Sequence, residues 1–292
     1  LLAWKSLDGQ AFFAQVFQAT CSMREEKVFC MESCVLTEFV AGVGQIIINR
    51  PDKRNALTRQ LIEQLDRAVE QMRSRPELRV LVLGASGGVF CAGMDLGEMQ
   101  ARAASEDGQQ EWLLDSQIYS HLLQKIYSIS VPTIAKLQGP VLAGGVGMVL
   151  ACDMIVASTN SFFSLPEPMR GITAAIVTPL LVHRLGPGVA NHLLLSGERM
   201  SAERAWQLGL CYDVVSADQL DERVEQLVAS VLTGSPASLA ITKQHLNQSI
   251  SASVEAQLLD SIQVSAQARQ SSDAREGLAA FLEKRKPSWQ PQ

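Results

Sequence analysis

The run Val80-Leu81-Val82-Leu83-Gly84 contains no polar residue. Successive side chains of a strand point to opposite faces, so a strand of this composition must be covered on both sides. That requirement excludes a sheet with one wet face and asks for helices above and below it. The rest of the chain supplies the pieces. Pro132-Thr133-Ile134-Ala135-Lys136-Leu137 and Asp153-Met154-Ile155-Val156-Ala157 read as further strands. Residues 35–40 and 45–49 read as a hairpin turning through Ala41-Gly42-Val43-Gly44. Thr58 suits the N-cap of an amphipathic helix in which Leu61, Leu65, Ala68, Val69 and Met72 recur at helical spacing. A helix-compatible stretch runs from about Glu98 to Ile129, and Val146 to Cys152 reads as a buried helix. Strand, glycine loop and helix alternate, which makes the fold α/β.

The chain divides into three by pattern. Residues 1–33 differ from the rest: Ala11 to Phe17 is apolar but short, with no basic segment before it. They read either as a poorly formed targeting peptide or as an extension ahead of Met23 or Met31, and they are set aside. Residues 34–200 carry the strand–loop–helix alternation. In residues 201–292 helical patterns dominate, at 201–209, 217–232, 236–248, 251–269 and 273–285. Their several apolar faces need a covering partner, which a second copy of the chain would supply.

Composition narrows the function. With 292 residues, 47% of them hydrophobic, one large domain with a substantial core is within reach. Gly, Pro or charge interrupts every apolar stretch short of the ~18–20 residues that span a bilayer, so a membrane protein is not expected. The net charge of −5 and the lack of aromatic–basic clusters speak against a nucleic-acid partner. The six cysteines form no CxxC pair and the four histidines no HExxH, so no zinc site is expected. Reduced, mostly buried thiols suit the cytoplasm, or an organelle matrix if residues 1–33 are a transit peptide. Neither GxGxxG nor GxxxxGK[ST] occurs, so no dinucleotide or nucleoside triphosphate site is signalled.

Two glycine loops and one carboxylate remain. Val89-Phe90-Cys91-Ala92-Gly93-Met94-Asp95-Leu96 follows one buried strand, and Gly139-Pro140-Val141-Leu142-Ala143-Gly144-Gly145-Val146-Gly147 follows another and opens a helix. The first N–H groups of a helix have no internal partner and carry the positive end of its dipole. Each loop alone is plain architecture; as a pair, they offer two N–H donors for one oxygen. Glu167 lies between Pro166 and Pro168 after an apolar run. Desolvated there, its carboxyl would become a proton shuttle near neutral pH. On pattern alone, a loop glutamate facing water is the plainer reading.

Taken together these segments resemble the enoyl-CoA hydratase/isomerase (crotonase) family. Asn49-Arg50-Pro51-Asp52-Lys53-Arg54-Asn55-Ala56-Leu57 is similar to its NRP…NAL signature, and Phe90 to Leu96 to its F-x-A-G-x-D-L loop. Gly139 to Asp153 resembles the family's glycine block ending in Cys-Asp, and Phe281 to Pro287 its FxEKRKP ending. The resemblance covers about residues 35–289, in family order. It implies a spiral of ββα units with a helical C-terminal trimerisation region, in a homotrimer or homohexamer. It further implies an acyl-CoA thioester as substrate, with coenzyme A arriving as part of it and no permanently bound cofactor. The Met94 and Gly144 amides would form the oxyanion hole. Lys53, Arg54 and Ala92 would meet the CoA nucleotide, completed by Phe281 and Lys284 of the same or a neighbouring subunit.

One departure limits the resemblance. Gly147 stands where well-known hydratases carry the first of two glutamates, and Glu167 matches the second. Three readings follow: a hydratase, a Δ3,Δ2-enoyl-CoA isomerase that needs one base, and a CoA-ester binder without catalysis, ranked in that order. Residues 145–153 and 174–179 look like the methylglutaconyl-CoA hydratase branch. There, water or a substrate carboxylate would occupy the space over Gly147.

Overall fold

The computed structural model describes residues 34–103, 105, 107–251 and 254–289; the division set aside at 1–33 lies outside them. The strands β1 (Val35–Val40) and β2 (Val43–Ile48) pair antiparallel, with Val40 opposite Val43. Ala41 and Gly42 at φ 50° and 85° make a two-residue turn, the left-handed geometry that matches strand twist. Val43 and Gly44 therefore belong to β2 rather than to the turn. Beyond β2 every pairing in the large sheet is parallel. β3 (Val80–Ala85), β4 (Thr133–Leu137), β6 (Met154–Ser158) and β9 (Asp213–Val215) complete the order β1-β2-β3-β4-β6-β9. A small second sheet holds β5 (Val141–Leu142), β7 (Phe162–Ser164) and β8 (Met200–Ser201).

The all-apolar run is covered on both faces, as its composition requires. Leu81 and Leu83 point into the main core with helix α1 (Arg59–Arg73). Val80 and Val82, with Ile134 and Val156, pack on the opposite face against Leu220, Val224, Leu227 and Val228. Thr58 caps α1 as expected, its Oγ1 accepting the Leu61 N–H at 3.1 Å.

The stretch read as one helix from Glu98 to Ile129 is two, α2 (Leu96–Ala103) and α3 (Gly108–Ser128). Gly108 permits the break: a Cβ there would stand 2.7 Å from the Arg102 carbonyl oxygen. Charge ties the pieces together, since Asp115 on α3 receives Arg59 of α1 at 2.7 Å and Arg102 of α2 at 2.8 Å. α4 (Gly144–Leu150) is buried throughout. The segment α5 (Thr178–Ser196) is bent at Gly186-Pro187, where φ is 72°.

The chain after residue 200 is mainly helical but not segregated, because β9 returns to the edge of the large sheet. Its helices are α6 (Ala202–Gln207), α7 (Leu220–Leu232), α8 (Pro236–Ser251), α9 (Val254–Arg269) and α10 (Ser272–Leu282). Among the described residues no single helix is long and apolar enough to cross a membrane. Lys243 on α8 reaches back to Asp153 at 2.7 Å and to the Val131 carbonyl at 3.0 Å. Two glycines seat α10 on the short turn Glu167–Arg170. A Cβ on Gly277 would overlap the Arg170 carbonyl group, and one on Gly171 the Asp273 carbonyl.

Gly277→Ala should therefore lower the free energy of unfolding by about 1–3 kcal/mol, the usual cost of overpacking, read from urea denaturation. An unchanged midpoint would mean that α10 does not rest on this turn.

Candidate active site

The loop after β3 is held from the side by residues 50–57. Asn55 is fully buried with φ at 53°. Its Oδ1 accepts the Arg50 N–H at 2.8 Å, and its Nδ2 donates to the Ser86 and Val89 carbonyls at 2.9 and 2.7 Å. Arg50 in turn pairs with Asp95 at 2.8 Å and donates to the Ala56 carbonyl at 3.0 Å. Burial opposes the charge on Asp95, but Arg50 and the amides of Glu98 and Gly97 outweigh it and keep the carboxyl below its ordinary value. Leu57 brackets Met94, its N–H donating to Gly93 O and its C=O accepting from Asp95 N, both at 2.8 Å. That pattern turns the Met94 N–H away from Leu57. No acceptor among the described residues takes it.

The second loop lies directly against the first. Leu142 N–H donates to Cys91 O at 2.9 Å and Phe90 N–H to Pro140 O at 3.0 Å. Gly93 has φ at 86°, and a Cβ on it would stand 2.5 Å from the Cβ of Ala143. A Cβ on Gly145 would stand 2.7 Å from that of Cys91. The fit needs hydrogen at both positions. Ala143 itself adopts φ 50° and ψ −125°, a conformation that costs an L-residue about 1–3 kcal/mol. It makes the sharp turn that begins α4, and the Gly144 N–H, like that of Met94, has no acceptor among the described residues.

Met94, Gly144 and Ala92 line one cavity, and so does Glu167. The glutamate does not face water. It opens the turn Glu167–Arg170 and is 6% exposed. Burial raises its carboxyl to about 7, against the smaller opposing pull of its own backbone N–H, Arg170 and Arg269. Its Oε2 is buried without a hydrogen-bond partner among the described residues.

The space over Gly147 is not free. Tyr119, from the middle of α3, donates its hydroxyl to the Gly144 carbonyl. A Cβ on Gly147 would overlap that hydroxyl oxygen and stand 3.1 Å from Leu123. The expectation of water or a substrate carboxylate at this point is thus corrected, because a tyrosine fills it. Tyr119 also lines the cavity, as does Arg269 at the end of α9. Neither carries a local sequence signal. The one available hint was Gly147, since a missing side chain in a buried helix has to be filled from elsewhere.

The remaining candidates sit outside the cavity. Lys53 and Arg54 are exposed, and the Arg54 carbonyl accepts the Ala92 N–H at 3.0 Å. Phe281 and Lys284 lie at the exposed end of α10, with the Arg170 guanidinium 4.7 Å from the Phe281 ring. The described residues contain no cluster of His, Cys, Asp and Glu able to hold a metal ion.

The family model for enoyl-CoA hydratase/isomerase matches residues 38–292. The chain belongs to this family. Relatives include the zebrafish (Danio rerio) enoyl-CoA hydratase domain-containing protein 3, mitochondrial, 32% identical over 88% of this chain and 88% of its own length. The 2,3-dehydroadipyl-CoA hydratase of Escherichia coli (strain K12) is 34% identical over 84% of this chain and 93% of its length. Among solved structures, an enoyl-CoA hydratase from Mycobacterium avium superposes with a TM-score of 0.76 at 34% identity, over 89% of this chain and 100% of the other. The fold is accordingly the crotonase one, and the chain is an enzyme of a family that handles CoA thioesters.

A raised carboxyl is also a statement about stability. Glu167 binds its proton more tightly in the native state than unfolded, from an ordinary 4.5 to about 7. Native stability is therefore lost as pH rises through this window. Between pH 5 and pH 8 the loss is about 2–3 kcal/mol. Glu167→Gln should abolish that part of the pH dependence in urea unfolding; an identical slope in the variant would show that Glu167 has its ordinary acidity.

Proposed function

We propose that this protein is an enoyl-CoA hydratase that adds water across the double bond of a 2-enoyl-CoA thioester. The observation that carries this reading is the pair of amides, Met94 and Gly144, that find no acceptor among the described residues, on the wall of the cavity that holds Glu167. The thioester oxygen accepts both N–H groups and gains negative charge as the hydroxyl adds at C3. One such donor is worth ~10²–10³ in rate. Glu167, ionised at the start, takes the proton from the attacking water. The same carboxyl then returns a proton to C2 as the enolate collapses, so one titrating group serves both transfers. Tyr119 stands where a second carboxyl would otherwise reach in. With its hydrogen committed to Gly144, its oxygen can accept a hydrogen bond from the water and so orient it.

A single carboxylate moving a proton from C2 to C4 would use the same atoms. The names carried by the relatives favour hydration over that isomerisation. Lys53 and Arg54 suit the CoA phosphates, with Phe281 and Lys284 joining from α10. α8 and α9 leave Ile241, Leu246, Leu259 and Val264 exposed, surfaces that support a homotrimer or a pair of trimers. The compartment is read as the cytoplasm or an organelle matrix.

Four outcomes test the proposal. With crotonyl-CoA and 3-hexenoyl-CoA offered side by side, hydration of the first should dominate over isomerisation of the second. Glu167→Gln should lower turnover by about 10²–10⁴ while CoA-ester binding stays near that of the parent; wild-type-like rates would dismiss the role. Since the working form is the carboxylate and its pKa is about 7, kcat/KM should climb with pH and level off above that value. A profile that falls over the same range would instead make Glu167 the acid. Light scattering should give three or six times the monomer mass, and a monomer would remove the subunit reading.

A further inference from the structure

The steps above leave Arg269 unused. It closes α9 and lines the cavity shared by Glu167 and the two free amides, yet it is only 9% exposed. Ser116 Oγ accepts from its Nη1 at 3.3 Å, and its guanidinium carbon stands 5.4 Å from the Trp112 ring centroid. Its Nε–H is buried with no acceptor among the described residues, and the guanidinium forms no ion pair there. Asp115 and Glu167 act on it electrostatically, but neither forms an ion pair with it among the described residues. Asp115 is held by Arg59 and Arg102, and Glu167 leaves its Oε2 without a hydrogen-bond partner there.

A guanidinium held out of water without a counter-ion costs several kcal/mol. No ion pair accounts for that charge, and on one side the group meets an apolar cluster: Trp112, against the guanidinium, packs with Met99, Ala266 and Leu278. A methionine or leucine would fill the place without the cost. What the guanidinium offers is a planar fork matched to a carboxylate, with the Nε–H edge still open.

We propose that Arg269 receives a carboxylate carried at the far end of the acyl chain, so that the substrates are CoA thioesters of dicarboxylic acids. The inference rests on the acyl-CoA reading and adds the acyl class to it. Apolar walls between the amides and Arg269, from Met99 and Ile172 among others, suit the methylene carbons that separate the two ends.

Saturated thioesters test this by binding alone, with no turnover needed. Calorimetry on the full-length protein should give adipyl-CoA at least a tenfold lower Kd than hexanoyl-CoA, and glutaryl-CoA the same advantage over pentanoyl-CoA. Arg269→Gln should bring each ratio close to one, and Arg269→Lys should keep part of it. If Arg269→Gln fails to fold, the wild-type ratios still decide. Equal Kd values in the wild-type protein, or a preference that survives in Arg269→Gln, would overturn the proposal while leaving the acyl-CoA reading intact. Failure of all four thioesters to bind would overturn both.

Discussion

The site depends on the contact between Gly93 and Ala143. Two loops that leave different strands come together there with only hydrogen on one side, and the pairing of Cys91 with Val141 holds them in line. Every other part of the cavity is referred to this junction. Asn55 and Arg50 brace one loop from below, and the strained turn at Ala143 sets the direction of the other. The result is a pair of main-chain donors fixed before any ligand arrives, which spares the reorganisation that loose donors would need at the moment of reaction.

Charge is distributed around that junction in two different ways. Arg50, Asp95, Arg59, Arg102 and Asp115 are paired with one another and stabilise loops and helices. Glu167 and Arg269 are buried and have no direct ionic partner among the described residues. Groups of this second kind oppose stability, and both of them line the cavity. A fold that retains them has exchanged some stability for chemistry, as binding sites commonly do.

Much of this was legible in the sequence, and for physical reasons. The run Val80 to Gly84 required cover on both faces, and the sheet provides it. The two glycine loops and Glu167 were marked by their position after apolar runs, the resemblance picked out Met94 and Gly144 within the loops, and all three residues line one cavity. The pattern alone favoured a solvated Glu167, because the cavity around it is closed by segments distant in the chain, Met94, Tyr119 and Arg269 among them, and no local feature announces it. Tyr119 and Arg269 were missed for the same reason: each lies on a helix whose spacing looks ordinary, and only tertiary packing gives it a role. The break between α2 and α3 was hidden because Gly108 sits in otherwise helix-compatible sequence. The return of β9 to the sheet was hidden because three residues are too few to show a period. The NRP…NAL segment was read for its contacts with a nucleotide, yet Arg50 and Asn55 act first as struts for the Met94 loop.

The seating of α10 on the Glu167–Arg170 turn ties the end of the chain to the acid. Gly171 and Gly277 let the two backbones come into contact there, so the turn that carries the buried carboxyl leans on the last helix. Fraying of that helix would release the turn before any strand of the sheet had moved. In a loosened, wetter turn Glu167 would drift back toward an ordinary 4.5, and damage to the C-terminus would register as a shift in the pH optimum with the core still intact.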